Sequence, residues 1–121
     1  MRLRNVKNKE EIMNQSSFLI RDPEKYLRMW KDLFNNDNPI YVEIGMGKGQ
    51  FIIQNAINNP NINYIGIEKY DSVIAKALQK IPDGINNLYM IRADALNIDK
   101  IFDHEIDCLF LNFSDPWPKK Y

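Results

Sequence analysis

The chain has 121 residues, 45% of them hydrophobic and 26% charged. That is the size of one domain or part of one, and the composition of a soluble globular protein rather than a disordered tail. Sixteen basic and sixteen acidic side chains cancel, which excludes a protein that holds nucleic acid by bulk positive charge, though not one with a local basic patch. One cysteine and one histidine exclude a disulfide framework and a Cys/His zinc centre, so no metal site is expected. No apolar run approaches the length of a membrane span, and Met1 to Gln15 lacks the apolar core of a secretory signal. A cytoplasmic protein without a membrane partner is the expectation.

The first nine residues carry Arg2, Arg4, Lys7 and Lys9 with no acid before Glu10, which reads either as a solvated, frayed arm or as a nucleic-acid contact. A helix is predicted from Asp22, with Asp22 as N-cap, Pro23 in the first position and Glu24 at the positive end of the dipole. Tyr26, Leu27, Trp30, Leu33 and Phe34 give it one apolar face, and Asn35 to Pro39 ends it. A strand over Ile40 to Ile44 then runs into Gly45-Met46-Gly47-Lys48-Gly49. A helix over Gln50 to Ile57 follows, and then a second strand over Tyr64 to Ile67 that Glu68 closes. Asp71 is positioned to cap a helix whose Val73, Ile74, Ala77, Leu78 and Ile81 recur with the helical period. After a turn at Pro82-Asp83-Gly84 come a third strand, Leu88 to Ile91, a short helix, Ala95 to Phe102, and a fourth strand, Asp107 to Phe113.

Strands that alternate with helices predict βαβ units, hence an α/β fold with a parallel, doubly wound sheet. The fourth strand is apolar at nearly every position, which predicts that both of its faces are covered. Residues 1–38 form a basic arm and a helix; residues 39–121 form the sheet domain.

Glu43-x-Gly45-x-Gly47-x-Gly49 is the strongest local signal. Glycines after a strand let the backbone turn tightly and approach a ligand. A phosphate-binding GxxxxGK[ST] run is absent, and the dinucleotide pattern GxGxxG would need a glycine where Gln50 stands. What remains is the pattern of S-adenosylmethionine (SAM) binding in Rossmann-like methyltransferases. A carboxylate at Glu43 is a poor neighbour for a pyrophosphate and a good one for the cationic methionine end of SAM. Glu68 lies where an acid can bond both ribose hydroxyls. Asp94, at the end of the third strand, is placed either to accept from the adenine amino group or to cap a helix, and the two roles are compatible. Beyond the fourth strand, Asp115 stands where ligands of open sheets meet strand ends. Trp117 offers a stacking face there, and Lys119 and Lys120 suit phosphate contacts; the competing reading is a rigid loop with a packed Trp.

The chain resembles the bacterial tRNA (guanine-N7-)-methyltransferase family along essentially its whole length. The resemblance rests on the start MRLRN, on VEIGMGKGQFI (Val42 to Ile52), on NYIGIEKYDSVI (Asn63 to Ile74) and on LNFSDPWPKK (Leu111 to Lys120). It implies a class I SAM-dependent methyltransferase fold that methylates N7 of a guanine in the tRNA variable loop. It implies cofactor contacts at Glu43, Glu68, Asp94 and Asp115, with Asp115 catalytic and Lys119 on the tRNA substrate. Guanine N7 carries no proton, so attack needs no general base, and a carboxylate such as Asp115 would orient the base and stabilise its forming positive charge.

Family members continue past PWPKK with a histidine and a Lys-Arg-Arg run. The sheet of this fold has about seven strands and the sequence supplies about four, so a fragment is expected, weak or inactive alone and self-associating through its uncovered fourth strand. Two rival readings remain. One is a SAM-dependent methyltransferase for another nucleobase or small substrate, since Ser114-Asp115-Pro116-Trp117 partly resembles the motif of exocyclic-amine methylases. The other is a non-catalytic SAM-binding remnant.

Overall fold

A computed structural model describes residues 4–112. Five parallel strands form one sheet: β1 (Leu19–Ile20), β2 (Ile40–Ile44), β3 (Asn63–Glu68), β4 (Leu88–Arg92) and β5 (Cys108–Leu111). Their spatial order is β1-β4-β3-β2-β5. The helices are α1 (Arg4–Gln15), α2 (Trp30–Phe34), α3 (Gln50–Asn58), α4 (Asp71–Gln79) and α5 (Ile98–Ile101). Among the described residues no helix is long and apolar enough to cross a membrane.

The alternation of strand side chains sorts the core into two layers. Tyr64, Leu88 and Met90 point to one face, where they meet Met13 of α1, Ile52, Ile53 and Ala56 of α3, and Ile74, Ala77 and Leu78 of α4. Ile40, Val42, Ile65, Ile67 and Ile91 point to the other, against Trp30 and Phe34 of α2 and Ile101 of α5. Helices on both faces of a parallel sheet are the doubly wound arrangement expected.

Several sequence expectations require correction. The basic N-terminal segment, expected as a frayed arm or a nucleic-acid contact, is helical over its described part. It is the helix α1, which packs on α4 and buries Met13. Two residues, Leu19 and Ile20, add a fifth strand beside β4. The single helix predicted from Asp22 is two pieces, a 3-10 turn at Pro23–Tyr26 and then α2, and Asp22 makes no side-chain cap. Between the pieces Arg28 takes a left-handed conformation, φ 69°. Distant carboxylates hold that break: Glu105 accepts from the backbone N–H of Arg28 at 2.9 Å and of Trp30 at 3.2 Å, and Asp103 accepts from Arg28 Nε at 2.8 Å. Ala95 to Phe102 divides likewise into a 3-10 turn, Ala95–Asn97, and α5.

β5 departs most from expectation. Cys108 and Phe110 are half-buried, whereas Leu109 and Leu111 are 46% and 58% exposed. Phe110 packs on Phe51 of α3 and on Tyr41, with ring centroids 5.2 and 6.1 Å apart. Among the described residues the face that carries Leu109 and Leu111 is open, and the strand is covered on one side and not both.

Candidate functional site

From β2 the chain winds outward through β3 and β4, then returns to lay β5 on the opposite side of β2. The strand order therefore reverses at β2, and open α/β sheets bind ligands in the crevice at the carboxyl ends of strands at such a reversal. The Gly45 to Gly49 loop leaves β2 at that point.

Two backbone hydrogen bonds anchor the loop to β3: the N–H groups of Gly45 and Met46 both donate to the Ile67 carbonyl, at 2.9 and 3.1 Å. Gly45, Gly47 and Gly49 all have positive φ. At Gly45 (φ 79°) a side chain is also excluded by contact, because a Cβ would run into the backbone carbonyl of Asn112, just past β5. At Gly49 (φ 80°) a Cβ would press within 3.1–3.2 Å of Ile53, Ala77 and Met90. Gly49 is also the N-cap of α3, so the loop closes tightly enough for that helix to begin directly against α4 and the sheet.

Two acids flank the loop. Glu43, on β2, is fully buried; its Oε2 accepts from Asn112 Nδ2 at 2.9 Å, and its Oε1 is buried without a hydrogen-bond partner among the described residues. Burial pushes its carboxyl above the usual range, the Asn112 hydrogen bond opposes that, and the negative charge of Glu68 adds to the rise. Glu68, at the end of β3, is 7% exposed, and its Oε1 accepts from the Gly47 N–H at 3.0 Å. One of its oxygens thus fastens the loop, a role that sequence reasoning did not anticipate.

Asp94 follows the end of β4 and accepts from the Leu96 N–H at 3.0 Å, so it caps the 3-10 turn, the second of the roles considered for it. Asp71 is the first residue of α4 and not its side-chain cap. It is drawn instead to Arg92 Nε at 3.0 Å, in the geometry of an ion pair rather than an aligned hydrogen bond, and so ties α4 to the end of β4. Beside the loop opens a cavity of about 580 Å³ lined by Met46, Gly47, Lys48, Gln50, Phe51, Val73 and Asn112.

The fold thus brings together Glu43, Gly45, Gly47, Gly49 and Glu68. Asp115, Lys119, Trp117 and Lys120 lie outside the described residues. The sequence reading missed Asn112. Its one signal was being the first polar residue after the apolar run of β5.

The arrangement sets a buried carboxylate, with one oxygen unpartnered among the described residues, beside a loop of positive-φ glycines. Residues 37–121 match the family model described as "Putative methyltransferase". The tRNA (guanine-N(7)-)-methyltransferase of Lachnoclostridium phytofermentans is 52% identical over 121 residues, covering 98% of this chain and 56% of that protein. The one from Geobacillus sp. is 49% identical, with 99% and 56% covered. The chain spans about half the length of the curated relatives it matches. Among solved structures, an antibiotic-related methyltransferase superposes with a TM-score of 0.63 at 22% identity, over 76% of this chain and 48% of that one. The plantazolicin methyltransferase BamL, solved in complex with a triazolic desmethylPZN analog and SAH, gives 0.51 at 21%, over 88% and 38%. These likenesses show the fold alone. With the family match over most of its length, the chain belongs to this methyltransferase family, among relatives that carry the tRNA (guanine-N(7)-) name.

Proposed function

We propose that this chain forms the cofactor-binding half of a SAM-dependent tRNA (guanine-N7-)-methyltransferase. The observation that carries the reading is Glu43: a fully buried carboxylate at the reversal of strand order, with Oε1 unpartnered among the described residues. A buried acceptor of that kind is costly unless a donor or cation completes it. The ammonium of SAM is such a group, so the residues present fit this cofactor. Glu68, next to the loop, suits the ribose hydroxyls through the carboxylate oxygen that does not hold Gly47. Asp94 suits the adenine amino group. The relatives' name supports tRNA as substrate, and a tRNA substrate sets the cytoplasm as the working compartment.

SAM supplies an electrophilic methyl group on a sulfonium. The protein's task is to hold that group in line with guanine N7, which has a free lone pair, and positioning supplies most of the acceleration. Asp115 and Lys119, in the LNFSDPWPKK motif, are proposed from the family resemblance to orient the guanine and to contact tRNA. Asp115→Ala is expected to lower turnover far more than SAM affinity in an assay that measures both; full N7 methylation by that variant would refute its role.

Calorimetric titration of the chain with SAM tests the site: heat of binding is expected, and its absence overturns the reading. Incubation with labelled SAM and unmodified tRNA, followed by digestion, identifies the product. 7-Methylguanine supports the proposed substrate, and an N6- or N4-methylated base would favour an exocyclic-amine methylase. Binding without transfer, in the chain and in a version extended to its relatives' length, would mark a non-catalytic SAM binder.

One further element of the reading is self-association. β5 pairs only with β2 among the described residues, and Leu109 and Leu111 stand exposed along it. Sedimentation is expected to show concentration-dependent association that the double change Leu109→Lys, Leu111→Lys reduces.

A further inference from the structure

Asn112 lies one residue beyond β5, where two strands that come from opposite directions of winding meet. The pairing register sets Leu111 beside Ile44, so Asn112 falls level with Gly45. Its backbone is fixed there: its N–H donates to the Ile44 carbonyl at 3.0 Å, and its own carbonyl lies so close to Gly45 that no Cβ fits between them. With the main chain held, the side chain reaches across to β2, and Nδ2 donates to Glu43 Oε2 at 2.9 Å.

We propose that Asn112 is a positioning residue for Glu43, holding its carboxylate by one oxygen so that the other receives the cationic end of the methyl donor. The proposal rests on the SAM reading given above and names a residue through which that site works.

The chemistry favours an amide at this place. Glu43 is fully buried, so an ionised carboxylate there needs a donor. A lysine or arginine would supply one and would also cancel the negative charge that attracts the ligand. Asparagine donates a hydrogen bond and leaves the charge in place. It occupies Oε2 alone, and among the described residues Oε1 stays without a partner. Among the described residues Glu68 on β3 is the charged group that acts on Glu43, and its repulsion works in the same direction as burial, toward the neutral acid. Against those two effects the Asn112 hydrogen bond is the one that favours the carboxylate. Asn112 also lines the cavity beside the glycine loop, so the same residue joins the carboxylate to the space in which a ligand would lie.

The test compares the wild-type chain with Asn112→Ala in two measurements. The first is the titration of Glu43 without ligand, followed by carboxyl carbon NMR and assigned with Glu43→Gln. The expected result is a midpoint at higher pH in Asn112→Ala; an unmoved midpoint overturns the proposal without reference to SAM. The second is SAM binding by calorimetry across pH. Asn112→Ala is expected to bind about tenfold to a hundredfold more weakly at pH 7, the range for a hydrogen bond to a charged group. Its affinity should also begin to fall at a higher pH than that of the wild type as the solution is acidified. A loss of affinity with an unchanged pH profile would indicate a merely structural role and overturn the proposal. Failure of the wild-type chain itself to bind SAM would overturn the reading of the site and this role with it, while the ligand-free titration would still report the coupling of Asn112 to Glu43.

Discussion

β3 and β5 are both rich in apolar residues, and they end in opposite surroundings. Every residue of β3 is buried, including Asn63 and Glu68 at its two ends. Along β5, half-buried and exposed residues alternate, and its two leucines face outward. β3 has a strand on each side and helices on both faces, whereas β5, among the described residues, has β2 on one side and α3 against one face. Composition makes both segments strands; neighbours decide which of them becomes core. The candidate site lies on the seam between the two regimes, with Glu43 from the buried interior and Asn112 from the edge.

The seam is the first place to break that contrast. Gly45→Ala would set a methyl group against the Asn112 carbonyl at a left-handed φ of 79°. Backbone strain of about 1–3 kcal/mol and a similar cost of overpacking are expected together. β5 would be pushed from β2, and both denaturant midpoint and SAM affinity should fall. Retention of both would mean that the junction is looser than its geometry indicates.

A paired truncation sharpens the contrast between the strands themselves. Ile65→Ala in β3 empties a fully buried position between β2 and β4 and should cost about 2–5 kcal/mol. Leu111→Ala removes a side chain that is 58% exposed and should cost less than about 1 kcal/mol. Equilibrium unfolding in urea measures both. Comparable losses would show that the outer face of β5 is covered in solution.

The same contrast explains what could be read in the sequence. The order of β2, α3, β3, α4 and β4, and the glycine loop with Glu43, were legible because local period and turn chemistry agree with the tertiary environment there. The break at Arg28 was not, because it depends on Glu105 and Asp103, which are more than seventy residues away in the chain. The two-residue β1 is too short to carry a period. The coverage of β5 is a property of its surroundings and not of its letters. Glu68 was recognisable as a site residue, but its bond to the Gly47 N–H depends on how β3 and the loop meet. Asn112 was a single polar residue at the end of an apolar run, with nothing local to indicate Glu43 as its partner.

Within the interior, Glu43→Gln separates stability from binding. The folded state raises the Glu43 carboxyl above its ordinary value of 4.5, chiefly by burial. A raised acid binds its proton more tightly when folded, so its favourable contribution is present at low pH and is lost as pH climbs from the unfolded value through the folded one. Glutamine keeps the acceptor for Asn112 and does not titrate. The variant should therefore gain stability over the wild type as pH rises from 4.5 toward neutrality, and should bind SAM poorly at every pH. Denaturation at pH 4, 5.5 and 7, with calorimetry at the same values, checks both halves. A stability difference that shrinks over that interval would contradict the direction of the shift.

The smallest effect is expected where a carboxylate lies at the surface. Asp103 is lowered below its ordinary value of 3.8, first by its hydrogen bond from Arg28 and then by that from His104. The sign is the reverse of that for Glu43. A depressed acid contributes stability above its unfolded value and loses it as pH falls through the folded one. Arg28 is 70% exposed and solvent screens the pair, so little of the shift becomes stability. Asp103→Asn should lower the urea midpoint less than Gly45→Ala or Ile65→Ala does. The difference from wild type should be present at pH 7, diminish below about pH 3.8, and shrink in high salt. A loss as large as that of Ile65→Ala, unaffected by salt, would mean that the left-handed break at Arg28 depends on this ion pair and not on Glu105, whose carboxylate holds the backbone N–H groups on both sides of it.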